Sequence, residues 1–237
     1  RLIPAANRML QSLMHLKLNG YTIRKLEEID KNGLIQFANE NKISLTPRTA
    51  GTSLAGQTVG NGIIVDVSKH FTKIISFDAA KKTITVQPGI IRDELNLYLK
   101  PHGLFFGPNT STSNRCMIGG MVGNNSSGTT SIRYGVTRDK IVEIKAILSD
   151  GSSAVFNKIS SSDFVEKTKG NSLESKIYKT IYEELSNAEA QKEIVAEFPK
   201  PEIHRRNTGY AVDILLKSEL FSGTEPIINL GKLLCGS

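Results

Sequence analysis

The spacing of apolar positions along the chain predicts several amphipathic helices. Over residues 172–185 apolar side chains recur at intervals of four, and Ser172 stands where a helix N-cap is expected. Residues 91–99 predict a second helix with Pro101 as its stop, and residues 33–41 predict a shorter third one. These segments are short and well separated, so strands have room between them.

Alternating or uniformly apolar segments predict the strands. Two pairs of alternating segments flank turns and therefore predict hairpins: residues 72–77 with 82–87, and residues 141–149 with 153–156. Two short apolar runs predict buried strands: residues 43–46 and 62–67. The polar stretch over residues 158–171 predicts a loop. Residues 1–32 are rich in Lys, Leu and Asn and predict a separate N-terminal helical segment.

A run of small residues follows the strand predicted at residues 43–46. In residues 47–57 the Thr, Ala, Gly and Ser side chains leave the backbone N–H groups accessible. Such groups can converge on one oxyanion, as in concave loops that hold a phosphate or pyrophosphate. Gly51 and Gly56 permit the positive φ angles that this path requires. Taken alone, the run fits a tight surface turn better, but a second run changes that interpretation.

The second run of small residues covers residues 107–128, with one base and no acid. A flexible linker is the alternative interpretation. Residues 118–122, however, place three apolar side chains around a glycine pair, and a linker has no use for that pattern. We therefore predict an extended backbone that lies against a flat ligand, with Asn and Ser supplying hydrogen bonds.

With both runs present, the chain resembles the FAD-binding domain of the vanillyl-alcohol-oxidase (PCMH-type) superfamily. Within it, the resemblance is to the branch of FAD-linked D-lactate dehydrogenases, glycolate oxidase subunits and related 2-hydroxyacid dehydrogenases. The stretches that carry it occur in the family's order: residues 47–56, Val86-Gln87-Pro88-Gly89, Gly107-Pro108-Asn109, Ile118-Gly119-Gly120 and Asn125-Ser126-Ser127-Gly128. Further matches follow at residues 134–139, 149–151, 207–210 and Gly236-Ser237. One such stretch is weak evidence, but the ordered set is specific.

The resemblance implies an α+β fold in which two α/β subdomains, residues 33–105 and 106–237, hold FAD between them. It implies that the first run wraps the FAD pyrophosphate through Pro47, Arg48, Thr49, Ala50, Gly51, Thr52, Ser53, Leu54 and Gly56. The second run would follow the cofactor toward the flavin, and Val142 would meet the adenine end through its backbone. The residues implied along that path are Pro108, Met117, Gly119, Gly120, Asn125, Gly128 and Gly236. Some members attach FAD through a histidine at the position of Thr52, so non-covalent FAD is implied here.

Two departures from the family pattern restrict the assignment. The extended opening segment of the family, with its Pro-containing strand, is not found in residues 1–33. We also expect the substrate-binding cap, with the catalytic base and any metal ligands, to lie beyond Ser237. No catalytic residue and no metal site is therefore assigned, and the isolated His15, His70 and His102 are interpreted as structural.

Composition narrows the function classes. A hydrophobic content of 39% and a charged content of 22% are ordinary for a globular protein. The net charge is +7, but the bases are interleaved with 23 acids and form no stripe with aromatic residues, so no nucleic-acid partner is predicted. The charge favours anionic ligands such as a dinucleotide or a carboxylate. No apolar run reaches the ~20 residues that cross a bilayer. We expect a cytoplasmic protein, with peripheral association at the inner membrane as an alternative.

The remaining reactive groups leave alternatives open. Cys116 and Cys235 are far apart and match no zinc or iron–sulfur spacing. For Cys116 a redox role is the alternative to a small buried residue, which we favour. Residues 204–210 place three basic groups beside a turn. They are consistent either with a solvated loop or with a charge facing the flavin or a substrate carboxylate.

The resemblance implies an FAD-dependent oxidoreductase that oxidises a D-2-hydroxy acid of the D-lactate or glycolate type by hydride transfer to flavin N5. The implied electron acceptor is a quinone, a cytochrome or an iron–sulfur partner. One alternative is an FAD-binding module or subunit without catalysis of its own. Another is an NADPH-dependent enol-ether reductase of the same fold, and the match at residues 207–210 favours the hydroxyacid branch over it.

Overall fold

A computed structural model describes residues 31–54, 56, 59–200, 202–203 and 210–236. The chain divides into two compact units, residues 1–43 with 149–152 and residues 44–148 with 153–237. In the first unit, helix α1 (Lys31–Glu40) confirms the helix predicted at residues 33–41. Within the same unit Asn39 Nδ2 donates to the Ser149 carbonyl (2.7 Å). The N-terminal segment predicted at residues 1–32 lies outside the described residues, except for the two positions that begin α1.

The second unit contains the other described helices and strands. The strands are β1 (Leu45–Arg48), β2 (Ile63–Asp66), β3 (Ile74–Asp78), β4 (Thr83–Val86), β5 (Ile144–Ile147), β6 (Ser153–Phe156), β7 (Lys158–Ser160) and β8 (Ile227–Asn229). The helices are α2 (Arg92–Leu99), α3 (Ile118–Gly123), α4 (Ser131–Tyr134), α5 (Ser161–Lys167), α6 (Leu173–Leu185), α7 (Ala188–Glu197) and α8 (Val212–Leu215). Single 3₁₀ turns lie at Lys100–His102, Thr137–Lys140 and Leu230–Lys232. This mixture of helices and strands confirms the predicted α+β class, whereas the boundary between the two predicted subdomains stays a prediction.

The strands pair two by two. β1 and β2 are parallel, with Leu45 opposite Ile63 and Arg48 opposite Asp66. The pairs β3–β4, β5–β6 and β7–β8 are antiparallel. Both predicted hairpins are therefore confirmed. The β7–β8 pair joins segments far apart in sequence, and no local pattern predicts it.

The loop over residues 49–62 connects the parallel strands β1 and β2. Among its described residues, 49–54, 56 and 59–62, none is helical. The strands hold both ends of the loop, because Ile63 N donates to Ser44 O and Val67 N donates to Arg48 O, each at 2.9 Å. A parallel pair needs a crossover of about a dozen residues or more. The first run of small residues thus supplies most of that crossover.

Two clusters of buried side chains form the interior of the second unit. The first cluster joins α2 to the second run of small residues through Ile90, Leu95, Leu99, Cys116, Ile118 and Met121. The second cluster is built from strands β6 and β8 and the C-terminal helices, and its buried members include Phe156, Phe164, Tyr178, Leu185, Leu215, Ile228 and Leu230. The first cluster is the one that fixes the position of the second run.

Tyr178 lies in the second cluster with its hydroxyl buried. That oxygen has no hydrogen-bond partner among the described residues. The ring makes an edge contact with Phe164 (centroids 4.8 Å apart), and Lys167 Nζ lies 5.2 Å from its centroid. Burial, to which the charge of Glu174 adds, raises the pKa of Tyr178 to about 12.

We expect Tyr178→Phe to leave the free energy of unfolding unchanged at neutral pH, or to raise it by about 1 kcal/mol, because it removes an unpaired buried hydroxyl. At high pH the variant should be clearly the more stable protein. The folded pKa lies above the ordinary value of 10, so above about pH 10 the unfolded chain loses a proton that the native state keeps. The wild type should therefore lose about 2–3 kcal/mol between about pH 10 and pH 12 relative to the variant.

Urea unfolding of both proteins at about pH 8 and about pH 11 measures this difference. A Tyr178→Phe variant that is less stable by more than about 1.5 kcal/mol at the lower pH would mean that the hydroxyl is hydrogen-bonded.

The loop predicted over residues 158–171 is wrong. Lys158–Ser160 forms β7, and α5 follows it directly. Ser160 Oγ caps α5 by accepting from Asp163 N (3.1 Å), and the fully buried Phe164 anchors it. One cap and one aromatic anchor suffice for a helix of two turns, but they leave no apolar periodicity for a sequence search to detect.

Helix α2 ends at Leu99, which confirms the helix predicted at residues 91–99, but the chain stays helical past Pro101. The chain continues into the 3₁₀ turn at Lys100–His102, and Gly103, with φ of +67°, ends it. Proline is tolerated near the start of a helical turn because its missing N–H would have no partner there. Gly103 therefore ends the 3₁₀ turn that follows α2.

Candidate cofactor-binding site

The first loop leaves β1 at Arg48, whose guanidinium lies near Asp66 on the neighbouring strand. Arg48 Nη1 is 3.9 Å from Asp66 Oδ2. Hydrogen bonds from Ser68 hold the pKa of Asp66 below its usual value, and the charge of Arg48 lowers that pKa further. Both side chains are close to half exposed, so the pair orients Arg48 more than it stabilises the fold.

Gly51 turns the chain against Arg48. Its φ is +66°, and a Cβ at this position would lie 2.9 Å from Arg48 Nε. The guanidinium therefore packs directly on the glycine. Gly56 also has a positive φ, +73°, but a Cβ there would meet no atom of the described residues within 4 Å. The positive φ predicted at both glycines is confirmed, and a cation over a loop of small residues suits an anionic diphosphate.

The two runs of small residues meet at the glycine pair of α3. A Cβ on Gly120 would lie 2.5 Å from Thr49 Oγ1. A Cβ on Gly119 would lie 2.5 Å from Pro88 Cβ, and Gly119 N donates to Pro88 O (2.8 Å). A Cβ on Gly119 would meet the ring and backbone of Pro88, so only glycine fits there, whereas a Cβ on Gly120 would require the Thr49 hydroxyl to rotate away. The structure thus brings together three of the stretches that carry the resemblance.

The second run is not extended throughout, contrary to the prediction. It turns at residues 111–115, forms a bridge between Met117 and Ile91, and then enters α3. Each glycine in a helix costs about 1 kcal/mol relative to alanine. Burial of Ile118 and Met121 in the first cluster offsets that cost. The three apolar side chains around the glycine pair therefore indicate a short helix that packs on one face, and not an extended segment.

Helix α2 holds the start of the second run. The largely buried Arg92 donates from Nε to Pro108 O (3.1 Å) and from Nη2 to Phe106 O (3.2 Å). Asn96 clamps the same segment, because its Oδ1 accepts from Phe106 N (2.6 Å). Asp93 Oδ2 accepts from Ser113 Oγ (3.0 Å) farther along. Sequence reasoning did not identify these polar positions, because they lie on a helix interpreted only by its apolar face.

The end of the second run is fastened to the C-terminal residues. Asn125 is fully buried with φ of +44°, and its Oδ1 accepts from the backbone N–H of Arg138 (2.9 Å). The Arg138 side chain is also buried and donates from Nε to Cys235 O (3.0 Å). Gly236 N donates to Val122 O (3.2 Å). Gly236 therefore lies beside α3. Arg138 belongs to the matching stretch 134–139, but the sequence did not identify it as a residue that connects these segments.

The other predicted site residues occupy varied environments. Gly128 accepts from Ser131 Oγ (2.6 Å), and a Cβ on it would collide with the Asn109 carbonyl, so the two ends of the run pass close together. Val142 is exposed, and its carbonyl accepts from Asn229 Nδ2 (3.0 Å). Pro108 is buried, whereas Ala50, Thr52, Ser53 and Met117 are half-buried, and Pro47 and Leu54 are exposed.

Both cysteines are buried and pack among other side chains. Cys116 is buried, with its Sγ 3.2 Å from Thr110 Oγ1 and 3.6 Å from Met121 Sδ. Burial raises the pKa of Cys235 to about 11, so its thiol stays protonated near neutral pH. Within the described part of the chain, no group of three or more His, Cys, Asp or Glu side chains is placed to hold a metal ion. No helix in that part is long and apolar enough to span a membrane.

These features fit a bound FAD. Glycines at which a Cβ would collide with a neighbouring segment let the two runs of small residues pack closely together, and exposed backbone of this kind suits a flat ligand. Arg48 supplies positive charge at the loop that the resemblance assigns to the pyrophosphate. Asn125 Nδ2 is a buried donor without a partner among the described residues. The fold and the site together define a domain that binds a flavin nucleotide.

The family follows from comparison with known proteins. Residues 26–156, more than half of the chain, match the family described as FAD binding domain. The chain therefore belongs to the FAD-binding domain family, and FAD is its cofactor. This confirms the family that the ordered motifs indicated.

Comparison with individual proteins shows which flavoenzymes the chain is similar to. The chain is 33% identical over 231 residues to a D-2-hydroxyglutarate dehydrogenase of Haemophilus influenzae, which covers 98% of this chain and 22% of that protein. It is 35% identical over 130 residues to the mitochondrial D-lactate dehydrogenase [cytochrome] 1 of Saccharomyces cerevisiae, covering 53% of this chain and 22% of that protein. Among solved structures, a carbohydrate oxidase from Microdochium nivale aligns with a TM-score of 0.47 and 21% identity, over 51% of this chain and 26% of that one. The chain thus spans about a fifth of the length of the curated relatives it matches.

Proposed function

We propose that this chain is the FAD-binding part of a flavoenzyme that oxidises a D-2-hydroxy acid, with D-2-hydroxyglutarate, D-lactate and glycolate as the candidate substrates. The observation that carries the proposal is the seating of Gly120 against Thr49, which joins the two small-residue runs into one backbone-lined surface. The names of the relatives support the substrate class, because dehydrogenases of D-2-hydroxyglutarate and of D-lactate are both among them.

The residues of the chain bind and orient the cofactor in this proposal. The first loop, residues 48–54, surrounds the pyrophosphate with backbone N–H groups, and Arg48 adds its charge. The glycine pair of α3 and Asn125 line the path toward the flavin, and Gly236 lies at its end beside Val122. FAD, when bound, supplies the acceptor for a hydride from the substrate. Thr52, with no imidazole to form a bond to the flavin, leaves the cofactor non-covalent.

We expect the purified protein to be yellow, with flavin absorbance that heat denaturation releases into solution as free FAD. In the intact flavoenzyme of which we propose this chain to be the FAD-binding part, adding D-2-hydroxyglutarate or D-lactate in the absence of oxygen should bleach that absorbance, whereas the L-enantiomers should not. The matching positions support the expected cofactor, and the names of the relatives support the expected substrate class.

Each alternative function gives a different result in the same experiment. Stoichiometric FAD that no hydroxy acid bleaches would mean a binding module without catalysis of its own. Bleaching by NADPH, with no response to hydroxy acids, would mean an enol-ether reductase of the same fold. A colourless protein that takes up no added FAD would overturn the proposed site.

A further inference from the structure

Arg138 connects two segments that are far apart in sequence. Its backbone N–H donates to Asn125 Oδ1 (2.9 Å), at the end of the second run. Its side chain donates to the carbonyl of Cys235 from both Nε (3.0 Å) and Nη2. One residue therefore binds the second run with its backbone and the C-terminal segment with its side chain.

The segment that Arg138 holds lies against α3. Gly236 follows Cys235 with φ of +87° and donates its N–H to Val122 O (3.2 Å). Cys235 itself is fully buried, and its Sγ lies 3.6 Å from the Gly231 carbonyl. The peptide group between Cys235 and Gly236 therefore links Arg138 to α3: its carbonyl accepts from Arg138, and its N–H donates to Val122 O in the last turn of the helix.

Burial of the charged Arg138 guanidinium is energetically unfavourable. Only 3% of the residue is exposed, and removing a guanidinium from water is unfavourable unless its donors are well used. The planar fork fixes the direction of the carbonyl that accepts from it, which a flexible ammonium does not do. A neutral apolar side chain would fill the same space at lower cost, so packing alone does not account for an arginine here.

We propose that Arg138 is a positioning residue of the FAD site. It holds Cys235 and Gly236 against α3 and so sets the distance between the C-terminal segment and the glycine pair that lines the cofactor path. The inference rests on the proposed function for the identity of the ligand. The hydrogen bonds of Arg138 do not depend on it.

Arg138→Met and Arg138→Lys test the proposal, with Arg133→Met as a matched control that makes the same chemical change on an exposed arginine of α4. The first readout is amide hydrogen exchange in the protein without FAD. We expect the Gly236 N–H to exchange at least ~10-fold faster in Arg138→Met, while amides of the β5–β6 hairpin keep their wild-type rates. Arg133→Met should change neither.

The second readout is the Kd for FAD, measured by quenching of flavin fluorescence. Arg138→Met should weaken binding by ~10-fold or more, and Arg138→Lys should recover part of that loss because one donor and the charge remain. If Arg138→Met does not fold, Arg138→Lys carries both measurements, with smaller changes in the same direction.

Three outcomes would overturn the inference. Unchanged Gly236 exchange in both Arg138 variants would mean that the side chain does not hold the segment. Faster exchange of the Gly236 N–H together with wild-type affinity for FAD would mean that Arg138 has a structural role only. A wild-type protein that binds no FAD would remove the proposed function and the cofactor role together, while the exchange measurement still decides whether the clamp exists.

Discussion

Gly119→Ala should abolish FAD binding, whereas Gly123→Ala, in the same helix, should leave it unchanged. A Cβ on Gly119 would lie 2.5 Å from Pro88 Cβ and 3.1 Å from Pro88 Cα, and a proline ring cannot move aside. Helix α3 must therefore shift away from Pro88, which disturbs the neighbouring contact of Gly120 with Thr49 of the first loop. A Cβ on Gly123 would meet nothing within 4 Å, so alanine there should also raise helix stability slightly.

We expect the Kd for FAD to rise ~100-fold or more in Gly119→Ala, since overpacking of this kind costs about 3 kcal/mol and each 1.4 kcal/mol is a factor of ten. Flavin fluorescence quenching measures the affinity, and thermal unfolding without FAD reports the cost to the fold. Wild-type affinity in Gly119→Ala, or equal losses in both variants, would show that the glycine pair does not line the cofactor.

Gly51→Val should lose FAD binding in a protein that still folds, although with lower stability. Its positive φ costs a residue with a Cβ roughly 1–2 kcal/mol, and somewhat more when the side chain is β-branched. The new side chain also takes the space of the Arg48 guanidinium, which lies 2.9 Å from the Cβ position. Arg48 is long enough to swing away, so the fold survives, but the cation leaves the loop.

Gly56→Val is the matched variant for Gly51→Val. Its φ of +73° gives a similar backbone strain, but its Cβ would have no neighbour within 4 Å among the described residues. We expect about a 10-fold loss of FAD affinity for Gly56→Val against ~100-fold or more for Gly51→Val, and similar losses of thermal stability. The ratio of the two Kd values measures what the position of Arg48 contributes. Equal affinities would assign the whole effect to strain and leave Arg48 without a role.

The sequence predicted most of the local structure wherever a segment carries its own signal. The hairpins β3–β4 and β5–β6 each have alternating strands and a turn between them, and helix α6 begins at the predicted cap, with Ser172 Oγ accepting from Ser175 N (3.1 Å). The glycine positions of the first loop were also predictable, because a positive φ restricts the residue type. Such features depend on neighbours in the chain, so a single sequence contains them.

The features that the sequence did not predict depend on partners far along the chain. Strand β7 pairs with β8, and Arg138 meets Cys235, across separations that leave no local pattern. The polar side chains of Arg92 and Asn96 hold backbone groups of Phe106, and nothing in the apolar spacing of α2 distinguishes them from surface residues. The order of the family motifs did predict which segments matter, but not which side chains hold them in place.

Because residues 49–62 alone connect the parallel strands, the pairing of β1 with β2 and the binding of a ligand to this loop are linked equilibria. Closing a loop of this length costs roughly 2 kcal/mol of chain entropy beyond a constant term. A ligand that binds only the closed loop returns free energy that grows with its concentration over its Kd. If the first loop holds the FAD pyrophosphate as proposed, the cofactor stabilises the pairing of β1 with β2 in addition to its chemical role. Under the proposed assignment, a higher concentration of FAD should raise the fraction of chains in which these two strands are paired.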